Sequence, residues 1–260
     1  MGRRPADLVV RDGRWVNVHS GEILDHTDIA VVEGRIAYCG PNAKALIGPP
    51  TRVIPARGRY LVPGLLDAHV HIESSMLTVS EFARAVLPHG TTGVFADPHE
   101  IANVLGLRGV RFILDGAQGT PLRVYGQVPS CVPAAPGLET AGAALGPEEV
   151  AEALRWPEVV GLGEVMNYPG VVAGDEVVHA KIASALAAGK VVGGHYASPD
   201  LGPTFHAYAA GGPADCHEGT RPEDALARVR QGIRAILRQG SAWQDLLAGV
   251  RGVCEAGIDL

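Results

Sequence analysis

The sequence predicts an α/β protein in which a small antiparallel β module precedes a parallel sheet built from β-α units. Three observations predict it. Residues up to about 58 alternate β-type runs of about five residues with turns. From Tyr60 onward, short apolar runs alternate with segments of helical period. Several of the ten histidines stand directly after those short runs, where α/β proteins gather their chemistry.

Composition narrows the function classes. Hydrophobic residues make up 47% of the 260-residue chain and charged residues 19%, which excludes a disordered protein. The 34 glycines and 19 prolines follow no fixed period, which excludes collagen and fits many tight loops. A net charge of -6 without long basic runs argues against nucleic-acid binding. No apolar run reaches the roughly 18 residues of a membrane span, and the N-terminus has no apolar signal core. Cys39, Cys131, Cys216 and Cys254 are scattered without a C-x-x-C pair. The expected setting is therefore a reducing cytoplasm.

Residues 1–58 carry β-type runs over 7–10, 14–18, 28–32 and 35–40, with Glu33-Gly34 as a turn. A module of this size buries little core alone and is expected to pack on something else. Residues 59–260 carry strand-like runs over 60–67, 92–96, 123–127, 159–163, 191–194, 214–216 and 234–237. Helical segments are expected over 79–87, 101–115, 147–154, 175–188, 222–231 and 243–255, the last ending at Ala256-Gly257. Eight such strands close a barrel, whereas seven leave two unpaired edges. The chain is accordingly read as part of a longer protein, truncated before strand eight.

The strongest chemical signal is the run Leu61-Val62-Pro63-Gly64-Leu65-Leu66-Asp67-Ala68-His69-Val70-His71. A strand places residues i and i+2 on one face, so His69 and His71 offer two imidazole lone pairs together. Glu164, His195 and His217 each follow a later predicted strand. Any one of these has an ordinary structural reading, such as a salt-bridged carboxylate or a satisfied core histidine. Together, in strand order, they read as a cage for two divalent ions, with Glu164 bridging.

Two further clusters bear on the site. In Asp97-Pro98-His99-Glu100, Asp97 reads as a helix cap or His99 as a proton carrier facing the cavity. Pro129-Ser130-Cys131-Val132-Pro133 is a restrained loop, either structural or lining a substrate pocket. Cys131 lacks a His-Asn pair that would make it a nucleophile.

These residues resemble the bacterial and archaeal adenine deaminases of the amidohydrolase superfamily. The matching stretches are 63–76, Gly90-Thr91-Thr92, 97–106, 129–134 and 161–167. The H-x-H pair is shared across the superfamily, whereas the H-I-E-S-S-M, D-P-H-E-I-A-N-V and P-S-C-V-P-A runs are narrower.

The resemblance implies a (β/α)8 TIM-type barrel lacking its last strand, with residues 1–58 as the first part of a β-sandwich. It implies hydrolysis of adenine to hypoxanthine and ammonia in purine salvage, by a metal-activated hydroxide. Two manganese or iron ions, with zinc as an option, would be held by His69, His71, Glu164, His195 and His217. His99 and Glu218 are then the candidates for moving protons, and Glu73 and Ser130 for contacting the purine. A homo-oligomer with a small-molecule substrate, and with neither nucleic acid nor membrane as partner, is expected.

The sequence departs from the family at Tyr196-Ala197-Ser198-Pro199, where Ala-Pro-Gly is usual, and at Cys216, where an aspartate is usual. It has no counterpart of the aspartate after strand eight. Two alternatives stay open: another superfamily hydrolase acting on a cyclic amide or amidine, and an inactive metal-binding protein.

Overall fold

The computed structural model describes residues 4–258, and the chain divides into two compact units, residues 1–64 and 65–260.

The first unit is a five-stranded sheet of β1 (Leu8–Asn17), β2 (Glu22–Val32), β3 (Arg35–Gly40), β4 (Arg52–Pro55) and β5 (Tyr60–Leu61). The order is β3-β2-β1-β4, with β5 also pairing β1. β2 is antiparallel to β1 and β3, whereas β4 and β5 run parallel to β1. The two runs expected over 7–10 and 14–18 are one strand with a bulge at Asp12-Gly13, where Asp12 takes a positive φ and the register shifts. Gly13 is needed there because the Leu61 side chain fills the space a Cβ would take. Ala6, Val9, Ala30 and Ala43 form a small core, which suits a thin sheet.

The second unit repeats β-α from end to end. It runs β6 (Leu65–Val70), α1 (Val79–Val86), β7 (Thr91–Ala96), α2 (His99–Leu105), α3 (Leu107–Gly116), β8 (Arg123–Val128), α4 (Pro147–Ala153) and β9 (Val159–Val165). It continues with α5 (Tyr168–Ala173), α6 (Glu176–Ala187), β10 (Val191–Gly194), α7 (Pro203–Ala210), β11 (Asp215–Cys216), α8 (Pro222–Arg230), β12 (Arg234–Ala235) and α9 (Leu246–Glu255). Strands β6 to β10 pair in chain order, all parallel, and β11 pairs β12 in parallel. The Ala214 N–H donates to the Val192 carbonyl at 2.9 Å and joins the two parts. This is the α/β barrel-type architecture, with seven strands among the described residues of this unit.

Burial follows position in the sheet. β9 is buried along nearly its whole length, as expected of a parallel strand covered on both faces. β6, at the edge, leaves Leu65 and Leu66 56% and 59% exposed. The main core gathers Val110, Leu114, Val128, Val150, Leu162, Tyr196, Phe205 and Tyr208 between sheet and helices. A second cluster holds Ile72, Val79, Val94 and Ile113.

Several elements differ from the sequence expectation, and three of them show why. The run over 60–67 is two strands in two units, because Pro63-Gly64 interrupts the ladder. The helix expected over 101–115 breaks at Gly106, whose φ of 62° and ψ of -142° are open to glycine alone. The helix expected from 243 starts at Leu246, because Gln239 and Gln244 bridge in a hairpin.

Candidate metal centre

The site stands at the C-terminal ends of the parallel strands of the second unit. β6 carries His69 near its end, and His71 follows at the N-cap of a short 3-10 turn, Ile72–Ser75. Glu164 lies near the end of β9, and His195 and His217 stand directly after β10 and β11. All five line one cavity of about 770 Å³, within the range of small-molecule sites.

Four of these side chains, together with His99, converge on the fifth, the carboxylate of Glu164. Glu164 Oε2 lies 2.6 Å from His195 Nδ1, 2.8 Å from His217 Nε2 and 3.8 Å from His69 Nε2. Its Oε1 lies 3.5 Å from both His71 Nε2 and His99 Nδ1. The imidazoles crowd one another: His69 Nε2 is 3.2 Å from His71 Nε2, and His195 Nδ1 is 3.1 Å from His217 Nε2. The His69 and His217 rings stack with centroids 3.8 Å apart.

The electrostatics suit cation binding. Burial and the neighbouring imidazoles of His217 and His71 push His69 down to about 3, so its lone pair is free at neutral pH. Burial alone would raise Glu164, but hydrogen bonds from His195 and His217 outweigh it and hold the carboxylate well below its usual range. Burial likewise opposes the charge on His71, yet Asp97, Glu164 and Glu100 hold its pKa above the ordinary value. His71 Nδ1–H donates to the Asp97 carbonyl at 2.7 Å, which leaves Nε2 facing Glu164.

The donor set fits divalent ions. A neutral imidazole has one donor and one acceptor, so this many ring nitrogens around one carboxylate cannot all be satisfied by hydrogen bonds. Both ring nitrogens of His99, the Nδ1 of His217 and the Oδ1 of Asp97 are buried without a partner. Three overlapping groups each bring their ligand atoms within 4.8 Å of one another: His69–Glu164–His217, His195–His217–Glu218 and Asp97–His99–Glu164.

The remaining anticipated residues take distinct places. His99 is buried beside Glu164, and burial holds its pKa down. Glu218 lines the cavity 3.8 Å from His217 Nε2, and its Oε1 accepts a 2.7 Å hydrogen bond from Arg238. Glu73 is half-buried; its Oε1 accepts the Ile101 N–H at 3.2 Å and its Oε2 has no partner. Ser130 is buried, and its hydroxyl donates to the Glu164 carbonyl at 2.5 Å.

Asp97 does not cap the following helix. The N-cap is Pro98, and the Asp97 carboxylate instead accepts the Glu164 N–H at 2.8 Å. Burial and the charge of Glu164 hold the Asp97 pKa well above the usual range. Gly163 makes this possible, since a Cβ there would collide with that carboxylate.

Three residues that sequence reasoning missed support the site. Tyr208 accepts the His195 N–H at 2.8 Å and donates to the Val165 carbonyl at 3.0 Å. Arg238 bridges Glu218 and Asp245. Lys181, buried on α6, donates to the Ser130 carbonyl at 2.7 Å. Cys216, at the departing position, accepts the Tyr196 N–H through Sγ at 3.3 Å.

A barrel-type parallel sheet with a His and Glu cluster able to hold a metal at its strand ends is the arrangement of a metal-dependent hydrolase class, and the sequence profile of the amidohydrolase family matches residues 60–241. The chain belongs to the amidohydrolase family. More particularly, it is 64% identical over 259 residues to an adenine deaminase of Mesorhizobium japonicum, covering 100% of this chain and 43% of that protein. Adenine deaminase 3 of Rhizobium meliloti is likewise 64% identical over 259 residues, covering 100% of this chain and 44% of that protein. The chain thus spans a little over two fifths of the length of the curated relatives it matches.

Among solved structures, atrazine chlorohydrolase from Arthrobacter aurescens TC1 complexed with zinc shares the fold. Its TM-score is 0.69 at 15% identity, covering 96% of this chain and 70% of that one. Molinate hydrolase matches with a TM-score of 0.65 at 16% identity, covering 99% of this chain and 72% of that one. No helix among the described residues is long and apolar enough to cross a membrane.

Proposed function

We propose that this chain forms the metal-binding part of an adenine deaminase, which hydrolyses adenine to hypoxanthine and ammonia. The observation that carries the hydrolase reading is the convergence of His69, His71, Glu164, His195 and His217 on one rim. The choice of adenine is supported by the similarity to adenine deaminases along the whole chain. In this reading residues 1–58 are the first part of a β-sandwich, and 59–260 supply strands one to seven of the barrel. One more carboxylate, on an eighth strand, is required.

His69, His71, His195 and His217 would hold two divalent ions with Glu164 between them. Manganese and iron suit this set, and zinc does too. Such an ion supplies Lewis acidity, lowering the pKa of water from 15.7 towards about 7. Hydrolysis adds a water oxygen at C6 of adenine and breaks the C6–N6 bond, so protons must reach the ring nitrogen and the departing amine. Glu218 lines the cavity beside His217 and is oriented by Arg238, which suits it, as a carboxylate, to take up a proton and pass it on to the amine. His99, kept neutral by burial, suits the opposite task of accepting one. Glu73 is assigned to the purine edge on its unpartnered Oε2. A homo-oligomer acting in cytoplasmic purine salvage is the setting this reading implies.

Glu164→Gln is expected to lower the content of both metals in the purified protein. Unchanged metal content by elemental analysis refutes the bridging role. Ammonia release from adenine, compared with a panel of cyclic amides, tests the substrate. Preference for any of the amides overturns adenine.

A further inference from the structure

Glu164 sits where the sheet ladder gives out. β8 pairs β9 only as far as Val128 and Leu162, and the pairing of β10 with β9 slips between Val192 and Gly194. A residue near the end of such a strand needs other partners for its peptide groups, and a buried unpaired peptide group is costly. The Met166 N–H reaches the Glu164 carbonyl at 3.1 Å, and side chains from other elements supply the rest. Asp97 Oδ2 accepts the Glu164 N–H at 2.8 Å, and the Ser130 hydroxyl donates to the Glu164 carbonyl at 2.5 Å. Both contacts are buried. The backbone carrying the central carboxylate is therefore gripped on both sides.

The second grip is itself supported. Ser130 follows β8 and Pro129, and its own carbonyl accepts a hydrogen bond from Lys181 Nζ at 2.7 Å. Lys181 comes from α6 and is only 8% exposed. Burying a lysine costs free energy unless its head group is well used. Its head group hydrogen-bonds to the residue that holds Glu164. The hydroxyl of Ser130 is spent on Glu164, and Ser130 does not line the cavity of the metal centre.

We propose that Ser130, backed by Lys181, is a positioning residue that fixes Glu164 for metal binding. The inference rests on the reading of Glu164 as a metal ligand and adds a role for the Pro129–Pro133 loop. A carboxylate between two ions has little angular freedom, so a loosened peptide at Glu164 reaches the metals as a loss of affinity. Partners of this kind typically change metal affinity by about 10- to 100-fold. A hydroxyl that merely satisfied the core would change stability and leave affinity alone.

The test is calorimetric titration of Mn2+ into the metal-free 260-residue chain, with urea denaturation of the same samples. Ser130→Ala is expected to weaken Mn2+ binding by about 10-fold or more. Ser130→Thr, which keeps the hydroxyl, is expected to recover most of that loss. A folded Ser130→Ala chain that binds Mn2+ within twofold of wild type overturns the proposal, whatever its stability. Should Ser130→Ala fail to fold, Lys181→Met takes its place, with severalfold weaker binding expected and binding within twofold overturning the proposal. Glu164→Gln in the same titration separates the layers. If it binds like wild type, the ligand reading fails and the positioning role with it. If Glu164→Gln weakens binding and the Ser130 and Lys181 variants do not, only the positioning role fails.

Discussion

Each unit of the protein contains a buried carboxylate, and the two are satisfied in opposite ways. Asp28, on β2 of the first unit, accepts the backbone N–H groups of Asp12 and Ala43 at 2.9 Å each, and Arg11 Nε at 3.4 Å. Burial works against its charge, and those donors still hold its pKa below the usual value. Glu164 receives imidazoles instead, and two of those around it, His99 and His217, have buried nitrogens with no partner. A carboxylate answered by peptide N–H groups is finished by folding and serves the fold. One crowded by imidazoles that keep unpaired nitrogens has coordination left to give, as the proposed metal binding requires.

The strongest way to break this contrast is to disturb the setting of Glu164 without touching any side chain of the cage. Gly163→Ala would put a methyl group against the fully buried Asp97 carboxylate. It is expected to weaken Mn2+ binding about 10- to 100-fold and to destabilise the chain by about 1–3 kcal/mol. Calorimetric titration and urea denaturation read the two effects. Binding at wild-type strength would show that Asp97 is not part of the support.

Asp28→Ala should do the reverse. It removes the acceptor of two backbone N–H groups, while the exposed Arg11 head group turns to water, so a loss of about 2–3 kcal/mol in urea denaturation is expected. Mn2+ affinity should stay within twofold of wild type. A clear fall in affinity would mean that the first unit helps to set the metal site.

The sequence showed one half of this contrast and hid the other. His69 and His71 were legible because alternation on a strand is local, and Glu164, His195 and His217 because each follows an apolar run. The cap reading of Asp97, one of two open for D-P-H-E, fails although the pattern looks like a helix start. The true partner of Asp97 is the N–H of a residue 67 positions away, which no local pattern reports. Lys181 was invisible for a related reason: a lysine within a helical run reads as surface until the packing of α6 is known. The break at Pro63-Gly64 was visible in the residues, but the apolar run continued across it and outweighed the signal. The carboxylate and imidazoles at the strand ends were readable, whereas Arg238, which also lines the cavity, and the residues that hold the site were not, since support is made of long-range contacts.

A third, smaller effect separates the two carboxylate pockets by pH. In the unfolded chain His69 takes a proton near 6.5, and in the folded metal-free chain only near 3. Between those values the unfolded state binds more protons, so His69 makes the metal-free chain lose stability as the pH falls. Wild type should therefore lose about 1–2 kcal/mol more than His69→Asn between pH 6.5 and 5 in urea denaturation. Asp28 behaves otherwise. Its folded pKa is lowered, so its contribution is complete above 3.8 and is lost only as the pH falls through the folded value. The penalty of Asp28→Ala should be the same at pH 6.5 and pH 5. A penalty that changes over this range would mean that Asp28 titrates like a site residue.

The smallest expected effect asks whether burial, rather than bond type, makes Asp28 important. Asp175 caps α6, its Oδ1 accepting the N–H groups of Val177 and Val178 at 2.9 Å each. These are the same kind of donors that Asp28 uses, but Asp175 is exposed. When its carboxylate is removed, water can reach the freed N–H groups, which it cannot do as readily beside Asp28. Asp175→Ala should therefore cost about 1 kcal/mol, less than Asp28→Ala, with Asp175→Asn nearly neutral. Because α6 also carries Lys181, the same variant checks how local the support of Glu164 is. Fraying of the first turn, well before Lys181, should leave Mn2+ affinity unchanged. A cost equal to that of Asp28→Ala would show that solvent access is not what separates the two, and the contrast would then rest on the number of donors instead.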